Sequence, residues 1–170
     1  MRHDPIVGED PFPIIDLENR RIPSIMLGTS PFIGAGQFGT RAYQYRRTLW
    51  DNPQNMTAII KHSASKLGVQ AVEAIGLERI LRCVREAEKE TKLRMTVIGS
   101  IAPDNPRKSL KLLCDAHAEL IFVHGSIVDE LRLDEVESYV DEMRGAGVIP
   151  GLATHMPEVT LPAIFKRNVK

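Results

Sequence analysis

The residues best suited to catalysis in this 170-residue chain are two histidines and a glutamate beside short apolar runs. His124 follows the run ELIFV, His155 follows VIPGLAT, and Glu73 lies inside VQAVEAIG. Imidazole and carboxylate groups exchange protons with substrates near neutral pH, and they also bind divalent metals. A carboxylate buried without a partner costs on the order of several kcal/mol, so Glu73 must have a function or an ionic partner. We predict these three residues to be catalytic.

A second set of polar residues is suited to substrate binding. Small hydroxyl side chains follow apolar runs elsewhere in the chain, and two arginines lie close to Tyr43 and Tyr45 in a glycine-bearing segment. The planar guanidinium group binds carboxylate or phosphate through paired hydrogen bonds, which favours a small, anionic organic substrate. The predicted substrate-binding residues are Thr29, Ser30, Arg41, Arg46, Ser100 and Ser126.

Each of these residues also has a structural interpretation. A histidine at a strand end can cap the next helix, and Glu73 can pair with an arginine on a neighbouring strand or loop. The arginines can lie in a solvated segment whose aromatic side chains pack against the rim of the fold. The predicted site contains no metal, and a divalent metal held by Glu73, His124 and His155 is the alternative.

Composition and charge narrow the class of protein. Hydrophobic residues make up 43% of the chain and charged residues 26%, which is typical of a globular domain. The 22 basic and 22 acidic residues give zero net charge, so no nucleic-acid partner is expected. We find no secretion signal and no apolar run of about 20 residues, which predicts a cytoplasmic protein without a membrane partner. Cys83 and Cys114 match no metal or redox spacing and are expected to be free cysteines, buried as small apolar side chains.

Short apolar strands alternate with amphipathic helices along most of the chain. Residues 1–12 are predicted to be disordered, and residues 13–170 form one domain. Two apolar runs around the turn Glu18-Asn19-Arg20 predict an N-terminal hairpin. We predict strands at 24–27, 69–74, 95–98, 119–123 and 148–152, a long loop at 32–54, and helices at 57–67, 77–91, 106–116, 133–146 and 157–166.

The alternation of strands and helices predicts an α/β fold with a parallel sheet, either open and doubly wound or closed into a barrel. The segment GAGQFG at 34–39 has the spacing of a dinucleotide-binding loop. It begins about seven residues after the predicted strand and does not open a helix, as that motif requires. We therefore interpret it as a flexible loop and the chain as a partial TIM barrel of about five strands. Residues at the strand ends then meet at one rim.

The order of these elements resembles that of the aldo-keto reductases. Those barrels begin with a hairpin that closes the barrel floor and leads into a strand ending in Leu-Gly-Thr, as at Leu27-Gly28-Thr29. Their fourth strand ends in a histidine, matched by His124, and a turn similar to Gly147-Val148-Ile149 precedes the fifth. The resemblance covers about residues 13–155. It implies a TIM barrel, an oxidoreductase activity with NADPH as cofactor, and a role for His124.

The family's catalytic tyrosine and the lysine that tunes it are not matched. Glu73 is nearest to the family's aspartate, but the residues that follow it are AIGL, and Ser100 lies where the lysine is expected. Carbonyl reduction needs a proton donor to the developing alkoxide. The sequence therefore predicts the family's layout without its ketone-reducing pair.

Three functions remain open at this point. The first is an enzyme of a small organic substrate that uses Glu73, His124 and His155 as acid, base or ligands. The second is a metal-dependent hydrolase or isomerase with the same trio, and the third is a non-catalytic assembly or regulatory subunit. Because five strands of a barrel expose two edges and an apolar face, we expect a fragment of a longer chain or a homo-oligomer.

Overall fold

A computed structural model describes residues 12–169, so the predicted disordered segment 1–12 lies outside the described residues except for Phe12. The chain divides into two compact units. One contains the described residues up to Val72 together with Arg82–Thr96. The other contains Glu73–Leu81 and the described residues from Val97 onward.

The predicted hairpin is present at the start of the first unit. Strands β1 (Ile14–Leu17) and β2 (Arg20–Pro23) pair antiparallel, with Ile15 opposite Ile22. The two linking residues, Glu18 and Asn19, have φ angles of 45° and 63°. A two-residue turn with both φ angles positive matches the twist of the strands, and asparagine tolerates this conformation better than most residues.

The predicted long loop at 32–54 is wrong, because most of this segment is helical. Two 3-10 turns at Ser30–Ile33 and Gly36–Phe38 lead into helix α1 (Arg41–Tyr45). A π-helical turn at Arg46–Trp50 continues it directly. Gly34, whose φ is 64°, lies close to helix α1. A Cβ at this position would be 2.4 Å from the Ala42 carbonyl oxygen, so a larger residue does not fit.

Helix α2 (Pro53–Leu67) begins earlier than predicted, because Pro53 occupies its first turn, where a missing N–H costs nothing. It ends at Gly68, which has the left-handed conformation expected there. Its buried face includes Met56 and Ile60, both fully inaccessible. Helix α3 (Glu78–Thr91) contributes Cys83 to the same unit, where the thiol donates to the Pro53 carbonyl at 3.5 Å. Cys83 is buried and Cys114 half-buried, and both are unpaired as predicted.

The five remaining strands form a parallel sheet in the order β3–β4–β5–β6–β7, and they alternate with the helices. This confirms the predicted α/β fold of βα repeats with a hairpin, and the sheet is not closed into a barrel. The strands are β3 (Leu27–Gly28), β4 (Ala71–Ile75), β5 (Thr96–Ser100), β6 (Leu120–Val123) and β7 (Ile149–Leu152).

Within the second unit the two faces of the sheet differ in burial. On one face Gly99 lies against helix α4 (Pro106–Asp115), since a Cβ there would be 2.8 Å from Leu113 Cδ1. Ile121, on the same face, is fully inaccessible. On the other face Phe122 packs on Gly151 and remains half-exposed. The alternation of side chains along a strand explains the contrast between neighbouring residues.

Helices α4 and α6 (Leu133–Gly145) pack together beside this sheet. The Arg107 guanidinium lies 4.6 Å from the centre of the Tyr139 ring and donates to Ser138 Oγ at 2.8 Å. A short helix absent from the predictions, α5 (Gly125–Val128), follows β6, and α7 (Pro157–Arg167) follows β7. Among residues 12–169, every helix is too short or too polar to cross a membrane.

Candidate functional site

His124 lies where strand β6 passes into helix α5, and it caps that helix. Its extended backbone turns the ring back so that Nδ1 accepts a hydrogen bond from the Ser126 backbone N–H at 3.2 Å. The Ser126 hydroxyl is 2.8 Å from the same nitrogen. A backbone N–H can only donate, so Nδ1 carries a lone pair, the hydroxyl also donates to it, and the proton of the neutral ring is on Nε2. His124 therefore presents an N–H donor.

His155 lies just beyond strand β7 and is held by the carboxylate of Asp129. Its Nδ1 is 2.8 Å from Asp129 Oδ2, and its backbone N–H donates to the same oxygen at 3.1 Å. A carboxylate accepts, so the ring proton is on Nδ1 and the lone pair of the neutral ring is on Nε2. The His155 side chain is 69% exposed. His155 therefore presents a solvent-accessible proton acceptor.

Asp129 joins the segment after β6 to the segment after β7. Besides His155 it accepts a hydrogen bond from Thr154 Oγ1 at 2.5 Å, and its side chain is only 12% exposed. These hydrogen bonds, with that from Thr154 the strongest, lower the pKa of Asp129 in spite of its burial. Thr154 Oγ1 in turn accepts from the Met156 N–H and from Thr160 Oγ1. The carboxylate is thus ionised at neutral pH and fixed in position.

The two imidazole rings lie close together, with centroids 6.1 Å apart and planes inclined by 60°. Gly125 makes this approach possible, because a Cβ there would lie 2.5 Å from His155 Cε1. Within residues 12–169 no hydrogen bond is made to Nε2 of either ring. Opposite proton locations on two adjacent rings leave one donor and one acceptor for a bound molecule.

Electrostatics keep His124 in its neutral form. Burial lowers the pKa of His124, the neighbouring His155 lowers it further, and Asp129 opposes both effects. A neutral imidazole donates a hydrogen bond through Nε2 without bringing a positive charge.

The structure brings together three of the predicted residues: His124, Ser126 and His155. Glu73 lies in the middle of β4 and is half-exposed, and Ser100 is the last residue of β5 and is buried. The other four lie in the first unit, with Thr29 and Ser30 at the end of β3, Arg41 at the start of α1, and Arg46 at the start of the π-helical turn.

Three residues of the site were missed at the sequence level: Gly125, Asp129 and Thr154. Asp129 lies five residues after His124, and this spacing alone does not indicate a contact with His155. The contact requires β6 and β7 to be adjacent and parallel, as they are, with Val123 opposite Leu152. The sequence contained one signal for these residues: Asp129 follows the strand-end His124, and Thr154 directly precedes His155.

The alternative of a metal bound by Glu73, His124 and His155 finds no matching ligand cluster. In the described part of the chain, no three histidine, cysteine, aspartate or glutamate side chains are grouped so as to hold a metal ion. The ring of His124 also has its proton on Nε2, so that nitrogen offers no lone pair.

A cavity of about 170 Å³ lies beyond the ends of β4 and β5, in the same unit. Its floor is closed by packing: the Ala102 N–H donates to Ser109 Oγ at 2.8 Å, and a Cβ on Gly76 would collide with that oxygen. The Asn105 side chain caps helix α4 by accepting from the Lys108 N–H. These polar groups bond to one another, so the cavity is a weaker candidate than the histidine pair.

No protein-family model matches this chain, and a search of curated proteins found none with significant similarity.

Proposed function

We propose that the chain carries a general acid–base site for a small organic substrate at the carboxyl ends of β6 and β7. His155 is the general base, Asp129 is the positioning residue that orients it, and His124 donates a hydrogen bond to the substrate through Nε2. The observation that carries the proposal is a pair of contacts to Nδ1, from the Ser126 backbone N–H to His124 and from His155 to the Asp129 carboxylate, from which we infer opposite tautomers. Active sites of parallel α/β proteins lie at this edge of the sheet.

Three features support an acid–base enzyme over a metal-dependent hydrolase or isomerase and over a non-catalytic assembly or regulatory subunit. The base is exposed, while the carboxylate that orients it is almost covered. An imidazole exchanges protons readily with a bound molecule near neutral pH. The donor beside it is neutral, which suits a substrate oxygen that gains negative charge during the reaction. We also propose a cytoplasmic location, which the sequence alone predicts.

The proposal is tested with p-nitrophenyl acetate, whose hydrolysis reports a base that activates water. Replacing His155 with alanine should lower the rate at pH 7.5 by about 10²-fold or more, the usual contribution of a general base. The matched control is His62→Ala, which removes an exposed histidine of helix α2 and should leave the rate unchanged. Equal rates for His155→Ala and the unmodified protein would refute the proposed base.

Asp129→Asn gives a second, independent arm of the same experiment. The amide no longer fixes the proton of His155 on Nδ1, so the fraction of rings with a lone pair at Nε2 falls. We expect a reduced rate with an unchanged circular dichroism spectrum. Nitrogen-15 spectra of the two rings report the tautomers directly, with the proton on Nδ1 in His155 and on Nε2 in His124.

A further inference from the structure

The hydroxyl groups near the histidine pair are already used in structural hydrogen bonds. Ser126 Oγ donates to His124 Nδ1 and, within residues 12–169, makes no hydrogen bond with His155. Thr154 Oγ1 donates to Asp129 and accepts from Met156 and Thr160. Neither hydroxyl forms the hydrogen bond to the base that an activated serine or threonine nucleophile requires. His155 therefore has no protein hydroxyl to activate, and it acts on the substrate or on water.

We infer that this site removes a proton from the carbon next to a carbonyl group, so that its substrate is a small aldehyde or ketone with such a C–H bond. The inference rests on the proposed function and narrows it to one reaction class. To lose this proton, such a compound needs a base at the carbon that carries the C–H bond. It also needs a neutral hydrogen-bond donor at the carbonyl oxygen, two bonds from that carbon. The opposite tautomers of His155 and His124 provide this pair.

The step balances without any further reagent. The C–H bond breaks and its proton is transferred to Nε2 of His155, while the electron pair forms the C=C bond of an enolate. The π electrons of the carbonyl move to its oxygen, where the Nε2–H of His124 stabilises the negative charge by a hydrogen bond. Return of the proton from His155 to carbon completes the cycle, and Asp129 stabilises the transient imidazolium.

The spacing of the rings suits this arrangement. Reacting atoms approach to about 3 to 3.5 Å before transfer, and the ring centroids are 6.1 Å apart, so a small substrate beside the exposed His155 ring also lies close to His124. Because His155 is exposed and Gly125 lies beneath its ring, a small substrate can approach the base from solvent.

The experiment follows the exchange of the hydrogens next to the carbonyl of hydroxyacetone in deuterium oxide by proton NMR. The protein should exceed free imidazole at the same concentration by about 10²-fold, the usual range of general-base catalysis. His155→Ala should return the rate to that of imidazole, and His62→Ala should not change it. His124→Asn retains a side chain that caps helices well but lacks the donor at Nε2, and should lower exchange by about 10²-fold.

The outcomes separate this inference from the proposed function. Ester hydrolysis that depends on His155, without accelerated exchange, would overturn the inference and leave the acid–base proposal standing, with water as the second reactant. If neither reaction depends on His155, both proposals fail. Exchange that depends on His155 and not on His124 would contradict the assigned donor.

Discussion

The carboxyl ends of β6 and β7 differ from those of β4 and β5, although both belong to one parallel sheet and carry the same kinds of residue. After β4 and β5, the polar groups bond to one another: Ser109 accepts from Ala102, and Asn105 caps its own helix. After β6 and β7, the hydrogen bonds to Nδ1 of His124 and His155 hold two rings that still have Nε2 available. A site requires polar groups that are oriented and yet not fully satisfied.

Glycine illustrates the same difference. Gly76, after β4, makes room for the Ser109 hydroxyl and carbonyl of helix α4, and therefore for part of the scaffold. Gly125, after β6, makes room for the exposed ring of His155. The missing side chain therefore serves packing at Gly76 and the placement of the proposed base at Gly125.

The largest effect is expected from Gly125→Ala. The added Cβ would lie 2.5 Å from His155 Cε1 and 2.7 Å from Nδ1, so the ring must turn away from Asp129. Displacing a reacting group by about 1 Å can cost about 10²-fold in rate. The rates of hydrolysis and exchange that depend on His155 should fall by this factor, whereas stability to urea should change by about 1 kcal/mol or less.

A Gly125→Ala protein with full activity would mean that the position of the ring is unimportant, and the contrast between the two glycines would disappear.

A smaller effect, on stability rather than activity, is expected from Gly76→Ala. Its Cβ would lie 2.1 Å from Ser109 Oγ and 2.9 Å from the Ser109 carbonyl oxygen, which belongs to the backbone and cannot rotate away. Overpacking of this kind costs about 1–3 kcal/mol, measured as a lower urea midpoint at unchanged slope. Gly145→Ala is the control, because its Cβ meets nothing within 4 Å and alanine favours a helix.

Asn105→Ala should cost about 1 kcal/mol of stability. The mutation removes the Asn105 oxygen that accepts from the Lys108 N–H at the start of helix α4. Thermal unfolding followed by circular dichroism measures this cost. Neither the hydrolysis nor the exchange rate should change, and a loss of either would place this loop in the site after all.

The smallest expected effect is on the titration of His124. Its pKa should lie below the ordinary value of about 6.5. Asp129→Asn removes a charge that raises it and should therefore lower it further, as NMR titration of the ring can measure. The neutral form is favoured by folding, so the related stability is present above about pH 6.5 and decreases as the pH falls below that value. A His124 pKa above 6.5 would contradict the neutral donor.

The main elements could be predicted because their signals are local. In the described part of the chain, the five helices of ten or more residues and the strands β4 to β7 lie within about four residues of their predicted bounds. Apolar periodicity and the residues that begin or end a helix belong to the segment itself. The segment 32–54 was misjudged, because its glycines indicated a loop while contacts such as that of Gly34 with Ala42 organise helical turns.

His124, Ser126 and His155 were predicted from their positions after apolar runs, and the structure gathers them. Asp129 was not, because its importance depends on a residue 26 positions away. Glu73 was predicted to be catalytic together with the two histidines, and it joins no three-residue ligand cluster among residues 12–169.

Sequence alone was enough to predict the order of strands and helices and the histidines at two strand ends, because these depend on neighbouring residues. The tautomer of His124 depends on a residue two positions away, whereas that of His155 depends on one 26 positions away and so on the tertiary fold. The Ser126 backbone N–H donates to Nδ1 of His124, and Nδ1 of His155 donates to the Asp129 carboxylate, which lies at the end of helix α5 after the adjacent strand. Proton location follows from these contacts in space, and so does the chemistry proposed for the pair.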